Sequence, residues 1–310
     1  MSRPKVTIVG AGVVGHSTAH WLAADRACDL VLVDIIQNLP QGKALDLQQA
    51  MPIRGVDVSI VGSNGYEETA GSDVAVIIAG IPRKPGMTRE QLIDTNAGIV
   101  RGVVDAVVRQ SPDAYLLVVT NPLDAMTYLT YKVSGFPRHR VVGESGALDS
   151  TRFRTFIAKE TGVSVEDVHA MVIGAHTDKD MVPLPRFATV GGGVPLSRLL
   201  PADRIEAIVA RTRRGGAEIT ELMGSSAFFA PGAAIAQMVE AIILDRTRLI
   251  PCSVYLDGEY GERDVCIGVP VLLGAGGVER IIEVPLDAAE QAAFAASVAA
   301  VRDQIATLKL

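Results

Sequence analysis

Through the first 145 residues, short apolar, β-branched runs recur between longer stretches with helical spacing. The runs are KVTIVG (5–10), LVLVD (30–34), VDVSIVG (56–62), VAVIIAG (74–80), YLLVVTN (115–121) and RVVGE (140–144). Most are apolar throughout instead of alternating, which is the pattern of strands covered on both faces. Helix-like stretches between most of them predict right-handed crossovers and a parallel, doubly wound α/β sheet.

After residue 146 the rhythm changes. Helices are predicted near 148–161, 202–222 and 231–246, a strand near 168–173, and a closing Ala-rich helix over 287–308. Between the last two helices the strand-like runs VYL, VCIGVPVLLG and ERIIEVPL follow one another directly, interrupted by Gly and Pro, so their pairing is expected to be antiparallel. The chain therefore divides into a sheet domain at 1–145 and an α+β domain at 146–310, with no repeat or low-complexity linker between them.

Composition narrows the classes. Hydrophobic residues make up 48% and charged residues 21% of 310, within the ordinary globular range. The longest apolar runs fall short of the roughly 20 residues a membrane span needs. A formal charge of −6 argues against a nucleic-acid partner. The opening MSRPKVTIVGAG leads straight into strand-like sequence, with no room for a targeting peptide, and a cytoplasmic protein is expected. Cys28, Cys252 and Cys266 lack paired or C-x-x-C spacing and read as small buried hydrophobes.

The first strand runs into Gly10-Ala11-Gly12-Val13-Val14-Gly15, which opens a helix. A G-x-G-x-x-G string alone is weak. Here it has a strand before it, a helix after it, and Asp34 at the end of the second strand, 19 residues beyond Gly15. That is the Rossmann fingerprint: a tight turn, a close approach to pyrophosphate, close helix packing and a helix N-terminus for the phosphates. Asp34 can accept from ribose hydroxyls and would repel a 2′-phosphate, and Ile35 and Ile36 offer no cation to offset that. NAD is therefore expected over NADP.

Four further stretches carry chemistry: GIPRKPGMTRE (80–90), TNPLD (120–124), LDSTRF (148–153) and IGAH (173–176). Asp149 and Arg152 are three apart in a helix-like stretch, so both project from one face. A surface ion pair is the commoner fate of such a couple, but the carboxylate could also hold an imidazole and the guanidinium grip a substrate carboxylate. His176, alone at the end of a strand-like run, would ordinarily be a structural hydrogen-bonder. Arg83 and Arg89 fall on a Pro/Gly-bearing segment expected to be a loop, for which a solvated basic surface is the bland reading.

By these motifs and their order, the sequence resembles the lactate/malate dehydrogenase family along its whole length, and its malate-specific branch most. The resemblance implies that His176 and Asp149 form the general acid/base couple and that Arg152 binds the substrate carboxylate. It makes 80–90 a lid, with Arg89 polarising the carbonyl oxygen and Arg83 selecting the substrate side chain. A cation at Arg83 suits a second carboxylate, where pyruvate-preferring relatives tend to have glutamine. Asn121 would bind substrate, Asn96, Val119, Thr120 and Asn121 would line the cofactor, and the resemblance implies a cis bond before Pro122. Ser226 matches a small polar position near the substrate. The expected reaction is malate to oxaloacetate with NAD and no metal, by a homodimer or homotetramer. A lactate or broad 2-keto-acid dehydrogenase and a non-catalytic NAD-binding sensor are the alternatives. One departure stands out. Relatives usually read His-Gly-Asp after the histidine, whereas His176 is followed by Thr177-Asp178-Lys179-Asp180, with one residue more. Thr177 resists a positive φ, so the path is expected to bulge, carrying Lys179 outward and leaving His176 able to meet Asp149.

Overall fold

The computed structural model describes residues 3–82 and 86–309. Its first half is built from Lys5–Val9 (β1), Val13–Ala24 (α1), Asp29–Val33 (β2), Leu39–Ala50 (α2), Ile60–Ser63 (β3), Val74–Ile77 (β4), Arg89–Gln110 (α3), Tyr115–Val118 (β5), Leu123–Ser134 (α4) and Val141–Gly143 (β6). These strands are all parallel, in the order β3-β2-β1-β4-β5-β6. The continuous apolar runs explain the layering. Val74 and Val76 of β4 enter one core with Leu22 of α1, while Ala75 and Ile77 enter the opposite core with Val100 of α3 and Met126 of α4. Each fully buried Val or Ile contributes roughly 1.5–3 kcal/mol of transfer free energy, so both faces hold helices firmly. The strand order reverses at β1, and the crevice beyond the carboxyl ends of β1 and β4 is where ligands of such sheets sit.

The second half contains Gly146–Thr161 (α5), Val168–His169 (β7), Val172–Gly174 (β8), Met181–Pro183 (β9), Thr189–Val190 (β10), Val194–Pro195 (β11), Ala202–Met223 (α6), Phe229–Ile243 (α7), Arg248–Asp257 (β12), Arg263–Gly274 (β13), Gly277–Ile281 (β14) and Ala288–Ile305 (α8). As expected, β12, β13 and β14 pair antiparallel. They do not form a separate sheet, however. Ser253 of β12 pairs with Gly143 of β6, and Gly268 of β13 with Gly174 of β8, so the first sheet continues through β12, β13, β8 and β9. A small three-stranded sheet, β11-β10-β7, stands apart. A third apolar cluster joins Phe153 and Ile157 of α5 to Ile208 of α6 and Val172 of β8. It seats α5 beside the extended sheet.

Several expected boundaries move. The run 56–62 becomes strand only from Ile60, because Val56 and Val58 pack into the core as irregular chain. The strand expected near 168–173 is two short strands in different sheets. The fifth strand ends at Val118, so Asn121 lies beyond it instead of ending it.

Candidate active site

At the β1–α1 turn, Gly10 has a φ of +106°, and a Cβ there would stand 2.8 Å from the Ala79 amide nitrogen. A Cβ on Gly15 would meet the Gly10 carbonyl oxygen at 2.0 Å, so α1 closes on β1 only because that position lacks a side chain. Gly12, by contrast, faces open space and caps α1 without a side-chain hydrogen bond, and the first turn holds no acid. The α1 amides and the positive end of its dipole are thus uncommitted, which fits a pyrophosphate. Ala11 is buried, Val13 is exposed and Val14 packs partly on the core. Asp34 receives the Ala11 N–H at Oδ2 (2.9 Å) and the Ile36 N–H at Oδ1 (3.0 Å), pinning the glycine turn to the end of β2. Ile35 beside it is 97% exposed. Lys43 of α2, which the motif reading did not single out, donates from Nζ to the carbonyls of Ala11 (2.7 Å) and Gly12 (3.3 Å). It sets a cation on the turn; one lysine on an amphipathic helix gives no sequence signal for that.

At the carboxyl end of β5, Thr120 is buried and donates to the carbonyls of Ile77 (3.2 Å) and Ala79 (2.8 Å), with half-buried Val119 before it. Asn121 is exposed and the Asn121–Pro122 bond is cis, as the resemblance implied. Asn96 of α3 receives the Ile81 N–H (2.9 Å) and donates to the carbonyls of Ile81 (3.2 Å) and Asn121 (2.7 Å). Its amide is a clamp between the two segments bordering the crevice. Arg89 is not on a loop: it is the first residue of α3, exposed, behind a Thr88–Gln91 capping box. A cation at a helix N-terminus opposes the dipole, and the cap offsets that. No hydrogen bond or ion pair among the described residues joins Arg89 to the residues around His176. Arg83 lies outside the described residues. Ser226 is exposed between α6 and α7, and no bond there ties it to His176 either.

The structure brings His176, Asp149 and Arg152 together. Asp149, in the first turn of α5, is only 2% exposed. Its Oδ2 receives the His176 Nδ1–H at 2.8 Å, and its Oδ1 receives Arg152 Nη1–H at 2.8 Å. His176 and Arg152 keep 16% and 14% of their side-chain surface, so each still faces outward. Arg152 Nε is buried without a partner among the described residues. Burial works against both charges of the His–Asp pair, but each is the other's counterion. His176 is lifted to about 9 by the Asp149 carboxylate despite its burial. Asp149, whose burial alone would raise it, is held below the usual carboxylate range by His176 and Arg152.

Other groups here went unread in the sequence. Gly215 and Gly216 of α6 open a slot for Arg152: a Cβ at Gly215 would stand 2.9 Å from Arg152 Cδ. Two glycines inside a helix cost about 1 kcal/mol each, which was the available signal. Glu144, at the end of β6, is 2% exposed with Oε1 unpartnered, and burial pushes it up to about 7. Asp124, the last residue of TNPLD, is 2% exposed, receives the His176 N–H at Oδ2 (2.8 Å) and the Ser253 Oγ–H at Oδ1 (2.7 Å), and is pushed up to about 6 by burial. Beyond His176 the chain takes a hydrogen-bonded turn. Thr177 Oγ1 donates to Asp180 Oδ2 (2.7 Å), the Met181 N–H reaches the Thr177 carbonyl (3.1 Å), and Lys179 is exposed. Thr177 keeps a negative φ, as its β-branch requires. The cysteines are buried and unpaired.

Two family models cover the chain: the lactate/malate dehydrogenase NAD binding domain matches residues 4–143, and its alpha/beta C-terminal domain matches 146–309. The malate dehydrogenase of Desulforudis audaxviator is 57% identical over 303 residues, 97% of each chain. That of Thermomicrobium roseum is 57% identical over 307 residues, 99% of each chain. Among solved structures, Salinibacter ruber malate dehydrogenase superposes with a TM-score of 0.94 at 51% identity, covering 98% of this chain and 97% of that one. A Cryptosporidium parvum lactate dehydrogenase complexed with lactic acid and nicotinamide adenine dinucleotide gives 0.95 at 39% identity, covering 99% and 98%. With its glycine turn, its His–Arg couple gathered on a buried aspartate and these matches across both halves, the chain belongs to the lactate/malate dehydrogenase family.

Proposed function

We propose that the protein interconverts (S)-malate and oxaloacetate by hydride transfer with NAD. The observation that carries this reading is the buried Asp149, which holds the His176 imidazole through Nδ1 and leaves Nε2 to exchange a proton with substrate. When bound, NAD supplies the hydride acceptor, and NADH the donor in reverse. The α1 N-terminus would hold the cofactor's pyrophosphate and Asp34 its ribose. Arg152, steadied by Asp149 and with donors to spare, binds the C1 carboxylate bidentately. In malate oxidation His176 takes the hydroxyl proton at Nε2, and Asp149 stabilises the imidazolium that forms. Arg89 would polarise the oxygen on which charge develops, and Asn121, beyond the carboxyl end of β5, would orient substrate. Arg83 pairs with the C4 carboxylate, a role resting on the sequence motif and supported by relatives that are malate dehydrogenases.

The protein acts in the cytoplasm as a homodimer or homotetramer. No helix among the described residues is long and apolar enough to cross a membrane. Leu222 and Met223 of α6 and Phe229 of α7 leave large apolar side chains exposed, which suits a subunit contact. The test follows NADH absorbance with oxaloacetate and then with pyruvate, beside light scattering for mass. Oxaloacetate should be consumed far faster; equal rates would favour a broad 2-keto-acid dehydrogenase, and no turnover with either would favour a sensor.

A further inference from the structure

Asp124 is a buried acid without an ion pair among the described residues, which needs a reason. Desolvating a carboxylate is expensive, and an apolar or amide side chain of that size would avoid the expense. Its position in the first turn of α4 offsets part of it, because the helix dipole favours an anion there. What the carboxylate gains is two donors from two other elements: the backbone N–H of His176 at 2.8 Å and the hydroxyl of Ser253, on β12, at 2.7 Å.

The donor from His176 is the informative one. Strand β8 ends at Gly174, so the two amides that follow have left the β8–β9 ladder. Both are captured by side chains: Ala175 N–H by Ser297 Oγ of α8 at 2.7 Å, and His176 N–H by Asp124. The backbone from which the imidazole projects is thus held by two helices, α4 and α8, while Asp149 holds the ring. Asp124 also stands three residues after Asn121, in the first turn of the helix that follows the segment Asn96 clamps.

We infer that Asp124 is a positioning residue for the reaction: through the His176 amide it fixes the imidazole relative to the Asn121 turn, so that proton acceptor and substrate-orienting edge move as one unit. This rests on the reading of His176 as the proton-transfer group. An asparagine can reproduce both bonds, its oxygen accepting from His176 N–H and its amide donating to Ser253 Oγ, since a hydroxyl can reverse its role. Alanine can reproduce neither.

The test measures kcat, KM for oxaloacetate and NADH affinity by fluorescence for Asp124→Ala, Asp124→Asn and Ser253→Ala. Asp124→Ala should lose kcat by about 100-fold, the scale of an ångström-sized misplacement, with NADH affinity unchanged. Asp124→Asn should restore kcat to within about threefold, because its hydrogen bonds survive. Its malate-oxidation profile should shift to lower pH, since an anion near His176 has been removed. Ser253→Ala, which loosens Asp124 without deleting it, should lower kcat about three- to tenfold with KM unchanged; it decides the matter should Asp124→Ala not fold. Unchanged kcat in both Asp124→Ala and Ser253→Ala would overturn the inference. So would a parallel loss of NADH binding and turnover, which marks a general core residue. His176→Asn separates the two levels: if that variant keeps its turnover, the histidine reading fails, whereas an inactive His176→Asn beside a normal Asp124→Ala removes only the inference.

Discussion

The cofactor crevice and the catalytic group solve their tasks with different parts of the chain. Around β1 and α1 the work is done by backbone: a glycine turn, uncommitted helix amides and one carboxylate that braces the turn. Around His176 it is done by charged side chains from separate segments: buried Asp149 and half-buried Arg152 on α5, buried Asp124 on α4 and buried Glu144 at the end of β6, with Ser253 bonded to Asp124. A site made of backbone is local in sequence and tolerant of substitution away from its glycines. A cluster of desolvated charges is assembled by the tertiary fold, and each member depends on the others' charge state.

That contrast can be broken at its strongest point first. His176→Asn should lower kcat by about 10²–10⁴ while NADH affinity is retained, because the crevice is built without the histidine. Near-normal rates would place the base elsewhere. In the wild type, malate oxidation needs a neutral His176 and should climb as pH rises toward about 9, whereas oxaloacetate reduction needs the charged form and should fall above it.

Next comes substrate choice. Arg83→Gln should move the ratio of kcat/KM from oxaloacetate toward pyruvate by about 2–5 kcal/mol, the cost of leaving a desolvated carboxylate without its partner. An unaltered ratio removes Arg83 from specificity.

A smaller effect tests how far the charged cluster strains the fold. Glu144 is raised to about 7 by burial, so the stability it contributes is full below an ordinary glutamate's range and is lost as pH rises through about 7. Glu144→Gln should therefore gain on the order of 1–3 kcal/mol over wild type at pH 8 and nothing near pH 4, read from denaturant unfolding at the two values. Equal effects at both would mean that the carboxyl is ionised at no cost.

The smallest change is on the backbone side. Asp34→Ser with Ile35→Arg should raise NADP use relative to NAD by about tenfold, removing a repulsion and adding a cation at a position now 97% exposed. A wild type that already prefers NADP would dislodge Asp34 from the ribose.

The same difference decided what could be read in advance. The parallel sheet was legible because strands covered on both faces must be apolar throughout, and the glycine turn because its sterics demand glycine at fixed spacing. The antiparallel extension was harder. Pro251 and Pro270 face each other across β12 and β13, inside strands where proline argues against strand, and nothing local announced that β12 would join β6. His176, Asp149 and Arg152 were named only through a family resemblance; spacing alone put the last two on one helix face. Asp124 lay inside a quoted motif without a task, because its partners are an amide 52 positions away and a hydroxyl 129 positions away. Arg89 was placed on a loop because Pro85, Gly86 and the charges around it mask the capping box that starts α3.

The pairing of β6 with β12, and of β13 with β8, has a mechanical consequence. Both junctions run through glycine, Gly143 against Ser253 and Gly268 against Gly174, where strands lie too close for a further side chain. The strand leading to the histidine is therefore tied into the same sheet as the glycine turn, through one bridging residue pair at each junction. The spacing between the crevice and the imidazole is thus set within one sheet, by glycines that let neighbouring strands approach, and a side chain added at either junction would press on that spacing directly.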